Sequence, residues 1–152
     1  FAPNFKLWKH FKNNFSIFYK HLTGDEIKQG DVLYVRMAGV DVPLEEAEEK
    51  KIGNYFYHFL TVIALKRGYK AGFGIESGPI SQYLAMKFGN HIFDSLYYKD
   101  FEFEGKKIFK NINFKSFVPE VQDSSIISVY RFIDPEMMIK AMSSLPKFMK
   151  SK

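Results

Sequence analysis

The stretch VLYVRMAGVDVPLEE, residues 32–46, decides the fold class that we predict for this chain. Residues 32–41 alternate between apolar and other side chains, and a period of two predicts a β-strand. Pro43 stops that strand. The segment 44–52 then has acids in its first turn and lysines in its last, which complements a helix dipole. The stretch therefore predicts a strand at the centre of a sheet, followed at once by a short helix.

The composition is that of one folded domain. The chain has 152 residues, 46% of them hydrophobic, with 17 Phe and 9 Tyr. This length can bury a single hydrophobic core, and this apolar content excludes disorder over most of the chain. No apolar run reaches the roughly 18 residues that a membrane-spanning helix needs. The absence of cysteine excludes a disulfide framework and thiol chemistry. We expect an α+β domain, either a small OB-like β-barrel or a mixed sheet with flanking helices.

Local signals predict the elements that surround the opening stretch. A turn at 29–31 joins residues 25–28 to the first strand as a β-hairpin. The β-branched trio at 61–63 favours a strand over 55–65, with a longer helix as the alternative. Residues 69–76 form a further strand. A helix then opens at Pro79 and runs to about Phe88.

The last third of the chain predicts strands followed by a helix. Residues 101–104 alternate cleanly, 108–117 continue in the same manner, and 125–133 form another strand. Asp134 and Pro135 suit the N-cap and first position of a helix, which Pro146 ends. The chain is thereby divided into a basic amphipathic arm, a core, and strands with a helix that complete the same domain, over residues 1–23, 24–98 and 99–152.

Charge is concentrated at the two ends of the chain. The net charge is +5, and residues 1–22 and 140–152 contain lysines but no acid. Basic ends favour an anionic partner, which could be nucleic acid, an acidic protein face or an anionic lipid surface. The chain begins at Phe1 rather than Met, and together with the basic N-terminal segment this favours an organellar, for example mitochondrial, assembly.

The N-terminal segment predicts an amphipathic helix. Its large apolar residues recur at spacings of three and four, which places them on one helix face, while its lysines lie mostly off that face. Such a stripe either packs against the chain's own core or docks a basic arm on a partner protein or membrane surface. In the docking interpretation the partner-binding residues are Trp8, Phe11, Phe15, Phe18, Lys9 and Lys12.

One segment resembles a known family. Gly24-Asp25 and, further on, Arg36-x-x-Gly-Val-Asp41-x-Pro43 resemble the signature of staphylococcal-nuclease-like (thermonuclease) domains. The resemblance is specific over 24–43 and extends loosely to residue 90. It implies a five-stranded OB-type barrel with helices. It also implies that Arg36 contacts phosphate and that Asp25 and Asp41 hold a metal ion such as Ca²⁺ or Mg²⁺.

The chain departs from the family pattern where the catalytic base should lie. The family places a glutamate directly after the proline, whereas this chain has Leu44, and Glu45 follows one position late. One residue at a helix start is a rotation of about 100°, which aims Glu45 away from the site. For the second arginine of the family pattern, Arg67 is the only candidate. The resemblance therefore predicts a vestigial site, with Arg36 and Glu45 as catalytic candidates and Asp25 and Asp41 as metal candidates.

These features predict two classes of function. The first is a non-enzymatic accessory or scaffold subunit without a cofactor, which binds other protein subunits of a larger assembly through its basic, aromatic-rich ends. The second is a metal-dependent nuclease or phosphodiesterase that acts on DNA or RNA. A displaced general base costs orders of magnitude in rate, whereas a binding surface survives such a change. The sequence therefore favours the accessory subunit.

Overall fold

A computed structural model describes residues 2–35, 43, 45–46 and 51–150 of the chain. The described elements alternate between helices and strands, so the fold is α+β as predicted. In chain order they are α1 (Ala2–Thr23), β1 (Val32–Val35), α2 (Ile52–Arg67), β2 (Ala71–Glu76), α3 (Pro79–Lys87), β3 (His91–Tyr97), a 3-10 turn (Tyr98–Asp100), β4 (Ser125–Phe132) and α4 (Pro135–Lys150).

The four strands form one open mixed sheet. Their order is β1-β2-β4-β3, with β1 and β2 parallel and the other two pairs antiparallel. Parallel neighbours require a crossover connection, and α2 lies in the segment that joins them. Among the described strands none joins β1 to β3, so the sheet is not closed. Of the two predicted architectures, the structure has the mixed sheet with flanking helices, and the barrel is not confirmed.

Helices cover both faces of this sheet. On β2, Phe73 points toward α1, whereas Gly72, Gly74 and Glu76 line the face beneath α2. Strand β4 is buried almost throughout, because one set of its alternating residues joins the α1 cluster and the other joins a smaller cluster with α3. A central strand that is covered on both faces explains the nearly continuous apolar run of β4.

The apolar stripe of α1 belongs to the main hydrophobic core. Phe11, Phe15 and Phe18 are fully buried, and the ring of Phe15 stacks on Phe73 with 4.6 Å between centroids. Burying one such side chain stabilises the fold by roughly 1.5–3 kcal/mol. Buried rings have no surface to offer a partner, so the docking interpretation is corrected for these three residues. Among the other residues predicted to bind a partner, Trp8 is half-buried and Lys9 is exposed.

Residues around the predicted first strand differ from the expected hairpin. Strand β1 lies at an edge of the sheet and pairs in parallel with β2, so it is neither central nor part of a hairpin. Residues 25–28 form no strand. They lead into a turn in which the Lys28 N–H donates to the Asp31 carboxylate at 2.9 Å. The predicted strand beyond Val35 and most of the predicted helix 44–52 lie outside the described residues, although 45–46 are helical.

The segment 55–65 is helical, so the strand prediction is wrong and its alternative is correct. It forms most of α2, which ends where Gly68 adopts a φ of 68° and donates its N–H to Ala64 and Leu65 carbonyls. This left-handed termination suits glycine. Within the β-branched trio, Thr61 lines the cleft between α2 and the sheet, and the strand preference of such residues is modest enough for tertiary context to override it.

In the last third, one strand and the helix are confirmed and two strands are not. Residues 125–132 form β4, and α4 starts at Pro135 but continues through Pro146 to Lys150. Residues 101–104 and 108–117 form a loop whose pairing is one bridge, Phe103 to Lys106. The alternation there arises because the loop buries aromatic side chains. Strand β3 was not predicted.

None of the helices in the described ranges has the length and apolar character required to cross a membrane.

Candidate functional site

A cleft lies between α2 and the sheet face that β1 and β2 present. Its lining is mainly apolar, with aliphatic and aromatic side chains, and its polar members are Tyr57, Thr61, Glu76, Asn90 and Arg131. Six of the residues around it are Leu33, Val35, Tyr57, Thr61, Gly72 and Glu76. The cavity within the cleft measures about 60 Å³, which is room for a small chemical group rather than for a whole ligand.

Two glycines of β2 create the space in this cleft. An added Cβ at Gly72 would have no atom within 4 Å, and one at Gly74 would lie 3.4 Å from a Glu76 carboxylate oxygen. Glycine weakens a strand interior, because it costs backbone entropy and has no side chain to pack. Glycines at two alternate positions of one strand therefore mark a place where another group approaches the sheet closely.

Glu76 is the acidic group of the cleft, whose lining also includes the cation Arg131. It ends β2, its side chain is only 8% exposed, and its Oε1 accepts a hydrogen bond of 2.9 Å from the Tyr57 hydroxyl. Burial raises the pKa of Glu76, while the bond from Tyr57 acts in the opposite direction. Burial and the nearby carboxylate both raise the pKa of Tyr57, so Tyr57 stays a neutral donor.

A buried amide fixes the strand end on which Glu76 lies. Gln82 of α3 is fully buried, and its Nε2 donates to the Ser125 carbonyl at 2.7 Å and to the Glu76 carbonyl at 3.4 Å. The Ser116 hydroxyl donates to Gln82 Oε1 at 3.3 Å. The amide thus ties the end of β2 to the start of β4, and a satisfied buried network of this kind rigidifies its surroundings.

Two helices begin near the same edge of the sheet. Helix α3 follows directly on β2 at its carboxyl end. The first turns of α2 lie there too, since Tyr57 bonds to Glu76 and Gly53 lies against Leu84 of α3. The first turn of α2 contains no acid, and its N-cap residue Lys51 makes no side-chain hydrogen bond to the helix. Helix N-termini attract anions through their free N–H groups and dipole.

This arrangement suits proton abstraction by Glu76. A buried carboxylate with a raised pKa is a stronger base than an exposed one, and such groups concentrate at active sites. The carboxylate also lies at the carboxyl end of β2, and ligands bind at the carboxyl ends of strands in open α/β sheets. The cavity that Gly72 and Gly74 leave open lies beside this carboxylate and has space for a small reacting group.

The residues predicted for the nuclease site are only partly described. Asp25 is exposed and follows the end of α1, where its N–H bonds to the Thr23 hydroxyl at 3.1 Å. Glu45 is exposed and helical. Arg36 and Asp41 lie outside the described residues, so their cluster stays a prediction. In the part of the chain that the structure describes, no group of three or more His, Asp or Glu side chains could hold a metal ion.

A different aspartate organises the start of the sheet. Asp31 accepts hydrogen bonds from the Lys28 N–H and, at 2.9 Å, from the Lys70 ammonium group. The Lys28 bond first and then the Lys70 bond lower the pKa of Asp31. Its carbonyl also accepts from the N–H groups of Lys70 and Ala71. Asp31 therefore joins the beginnings of β1 and β2 and has a structural role.

Sequence reasoning missed Tyr57 and Glu76. The available signal was one carboxylate at the end of the strand AGFGIE, whose glycines alternate on the face that carries the glutamate. Tyr57 had no signal of its own once 55–65 was interpreted as a strand. No family model, no curated protein and no solved structure matches this chain.

Proposed function

We propose that this chain catalyses a group transfer in which Glu76 acts as the general base. The observation that carries the proposal is the buried Glu76 carboxylate, bonded to Tyr57, beside a cavity that Gly72 and Gly74 leave open. A positioned base of this kind contributes about 10²–10⁴-fold to the rate. The nucleophile that Glu76 activates is an amine or an alcohol that enters the cleft from solvent.

The donor that suits this site best is an acyl thioester of coenzyme A. Its phosphates match the α2 N-terminus, where Lys51 adds a positive charge and the first turn has no acid. The long arm that carries the thioester suits the mainly apolar lining of the cleft. A small acyl group suits a cavity of about 60 Å³. The glycines at 72, 74 and 78 do not have the spacing of a dinucleotide-binding fingerprint, which disfavours a nicotinamide cofactor.

The proposed step balances without a further reactant. The nucleophile attacks the thioester carbonyl and Glu76 takes its proton, so that a new carbon–nitrogen or carbon–oxygen bond forms as the carbon–sulfur bond breaks. The leaving thiolate takes up a proton and departs as a thiol. Tyr57 holds the carboxylate in place through the 2.9 Å hydrogen bond.

The release of free thiol tests this function directly. The chain contains no cysteine, so a thiol reagent has no background from the protein. We expect the wild type to release thiol from acetyl coenzyme A in the presence of a primary amine. The Glu76→Gln variant should lose about 10²–10⁴-fold of the rate. Glu120→Gln, at an exposed glutamate, is the matched control. Equal rates for wild type and Glu76→Gln, or no acyl transfer to any amine or alcohol, would reject the proposal.

An accessory role in a larger assembly is the second candidate. The observation that favours it is the outer side of α2, where Tyr55 and Phe59, four positions apart on one helix face, are 71% and 59% exposed. Contiguous exposed apolar side chains mark interaction surfaces. If this role is correct, cross-linking in the native source should join the chain to defined subunits, and Tyr55→Ser with Phe59→Ser should abolish those products. Unchanged products in that variant would remove the support for this surface.

A further inference from the structure

The loop between the 3-10 turn and β4 contains a second surface of distinct chemistry. We define the basic loop as residues 105–115, GKKIFKNINFK. Its four lysines are all exposed, and it contains no acid, since Glu102 and Glu104 lie before the turn at Gly105. The lysines of the basic loop are Lys106, Lys107, Lys110 and Lys115.

The basic loop also exposes aliphatic side chains. Ile108 is 42% exposed and Ile112 is 38% exposed, and both lie among the lysines in sequence. In a fixed loop, such side chains stay on the outer surface beside the lysines. The contacts of the basic loop show that it is fixed.

Aromatic side chains fasten the basic loop to the core. The ring of Phe109 stacks on Phe101 with 5.5 Å between centroids and meets the edge of Tyr98 at 5.6 Å. Phe114 also packs against Tyr98, and its N–H donates to the Ser124 hydroxyl at 3.1 Å. These rings point inward, and the isoleucines and lysines of the basic loop lie on its outer side.

We propose that the basic loop binds an anionic lipid surface. Exposed lysines attract anionic headgroups, and neighbouring aliphatic side chains enter the boundary of the acyl chains. The lysine Lys6 of α1 adds a cation at the same side, because its ammonium group lies 5.8 Å from the ring centre of Phe103. Single-stranded nucleic acids are bound by stacking on several aromatic rings, whereas both rings of the basic loop, Phe109 and Phe114, are turned into the core. The exposed Phe117, two residues beyond the basic loop, is a single ring that can enter a lipid boundary, so lipid is favoured over nucleic acid.

Two double variants separate the charge from the apolar contribution. The first is Lys106→Glu with Lys107→Glu, and its matched control is Lys66→Glu with Arg67→Glu at the exposed end of α2. The second is Ile108→Ser with Ile112→Ser, and its control is Leu65→Ser. All these positions are outside the buried core, and circular dichroism with thermal unfolding checks that each variant folds.

Co-sedimentation with vesicles measures the binding. The full chain is mixed at low salt with phosphatidylcholine vesicles that contain or lack phosphatidylserine. We expect binding only with phosphatidylserine, and weakening by added salt. The lysine variant should bind about thirtyfold more weakly or worse, and the isoleucine variant about tenfold more weakly. The α2 controls should stay within about threefold of wild type.

Three results would overturn the proposal. One is absence of binding of the wild-type chain to phosphatidylserine vesicles at low salt. Another is an equal loss of binding in the Lys66→Glu/Arg67→Glu control, which would mean that net charge alone acts. The third is binding to single-stranded RNA or DNA that requires Lys106 and Lys107 while vesicle binding does not, since this would assign the basic loop to nucleic acid.

Discussion

The hydroxyl of Tyr57 donates a hydrogen bond of 2.9 Å to Glu76 Oε1 and so joins α2 to the carboxyl end of β2. The two residues are 19 positions apart in the chain, and the crossover between the parallel strands brings them together. A buried carboxylate is costly to ionise, and one hydrogen bond offsets only part of that cost. The pair is therefore better explained by a chemical role than by stability.

Replacing Glu76 by Gln should not destabilise the protein at neutral pH. Burial raises the pKa of Glu76 above its ordinary value of 4.5. The free energy of unfolding of the wild type therefore falls as the pH rises from that ordinary value through the raised one. Glutamine cannot ionise but can still accept from Tyr57. Urea unfolding at several pH values should show that the free energy of unfolding of Glu76→Gln increases relative to that of the wild type as the pH rises.

The exposed Glu120→Gln is the control for that comparison and should follow the wild type. A Glu76→Gln variant that loses more stability at neutral pH than near pH 4 would show that the ionised carboxylate stabilises the fold, contrary to this account.

Filling the cleft should separate stability from activity. Gly72→Ala adds a methyl group where no atom lies within 4 Å. In a strand interior, alanine should raise the free energy of unfolding by roughly 0.5–1 kcal/mol. The same methyl narrows the cavity, so coenzyme A binding and acyl transfer should weaken. Unfolding and calorimetric titration measure the two effects, and a variant that is more stable with unchanged binding would place the ligand elsewhere.

Asp31→Asn should destabilise the start of the sheet by about 1–3 kcal/mol, because it weakens charge-assisted bonds at a buried group. The lowered pKa of Asp31 adds a pH signature. The ionised Asp31 stabilises the fold fully above its ordinary pKa of 3.8, and this stabilisation is lost as the pH falls through the lowered pKa of the folded state. Denaturant unfolding of Asp31→Asn and of the exposed control Asp25→Asn checks this, and similar losses for both would contradict the assigned role.

Phe15→Ala should destabilise the fold by about 3–5 kcal/mol, since it removes a fully buried ring from the core. Ile17 lies on the same helix but is 56% exposed, so Ile17→Ala should change stability by no more than about 0.5 kcal/mol. Unfolding midpoints of the two variants measure the difference. Equal effects would mean that α1 does not pack on the sheet through this stripe.

The elements that the sequence predicted well are those with local signals. The period of α1, the proline that opens α3, and the Asp134-Pro135 start of α4 each act within a few residues. Strands β2 and β4 were predicted for the same reason. These signals establish the α+β class, because none of them depends on a distant part of the chain.

Most of the failures concern relationships between distant residues, whereas the strand predicted for 55–65 fails in the local choice between helix and strand. The crossover that makes β1 parallel to β2 has no local signature. The sequence therefore predicts a hairpin where the structure has an edge strand. The loop at 101–117 alternates because Phe101, Phe109 and Phe114 pack on one another or on Tyr98. The site itself depends on the same crossover, so Tyr57 and Glu76 could be joined only once the sheet order was known.

The pH dependence of kcat/KM for acyl transfer tests the central claim most directly. If Glu76 is the base, the wild-type rate should rise with pH through the raised pKa of Glu76. Because the bond from Tyr57 lowers that pKa, Tyr57→Phe should move the midpoint to higher pH. The exposed control Tyr55→Phe should leave it unchanged. An unchanged midpoint in Tyr57→Phe, or the same rising limb in Glu76→Gln, would contradict the assignment of Glu76 as the general base.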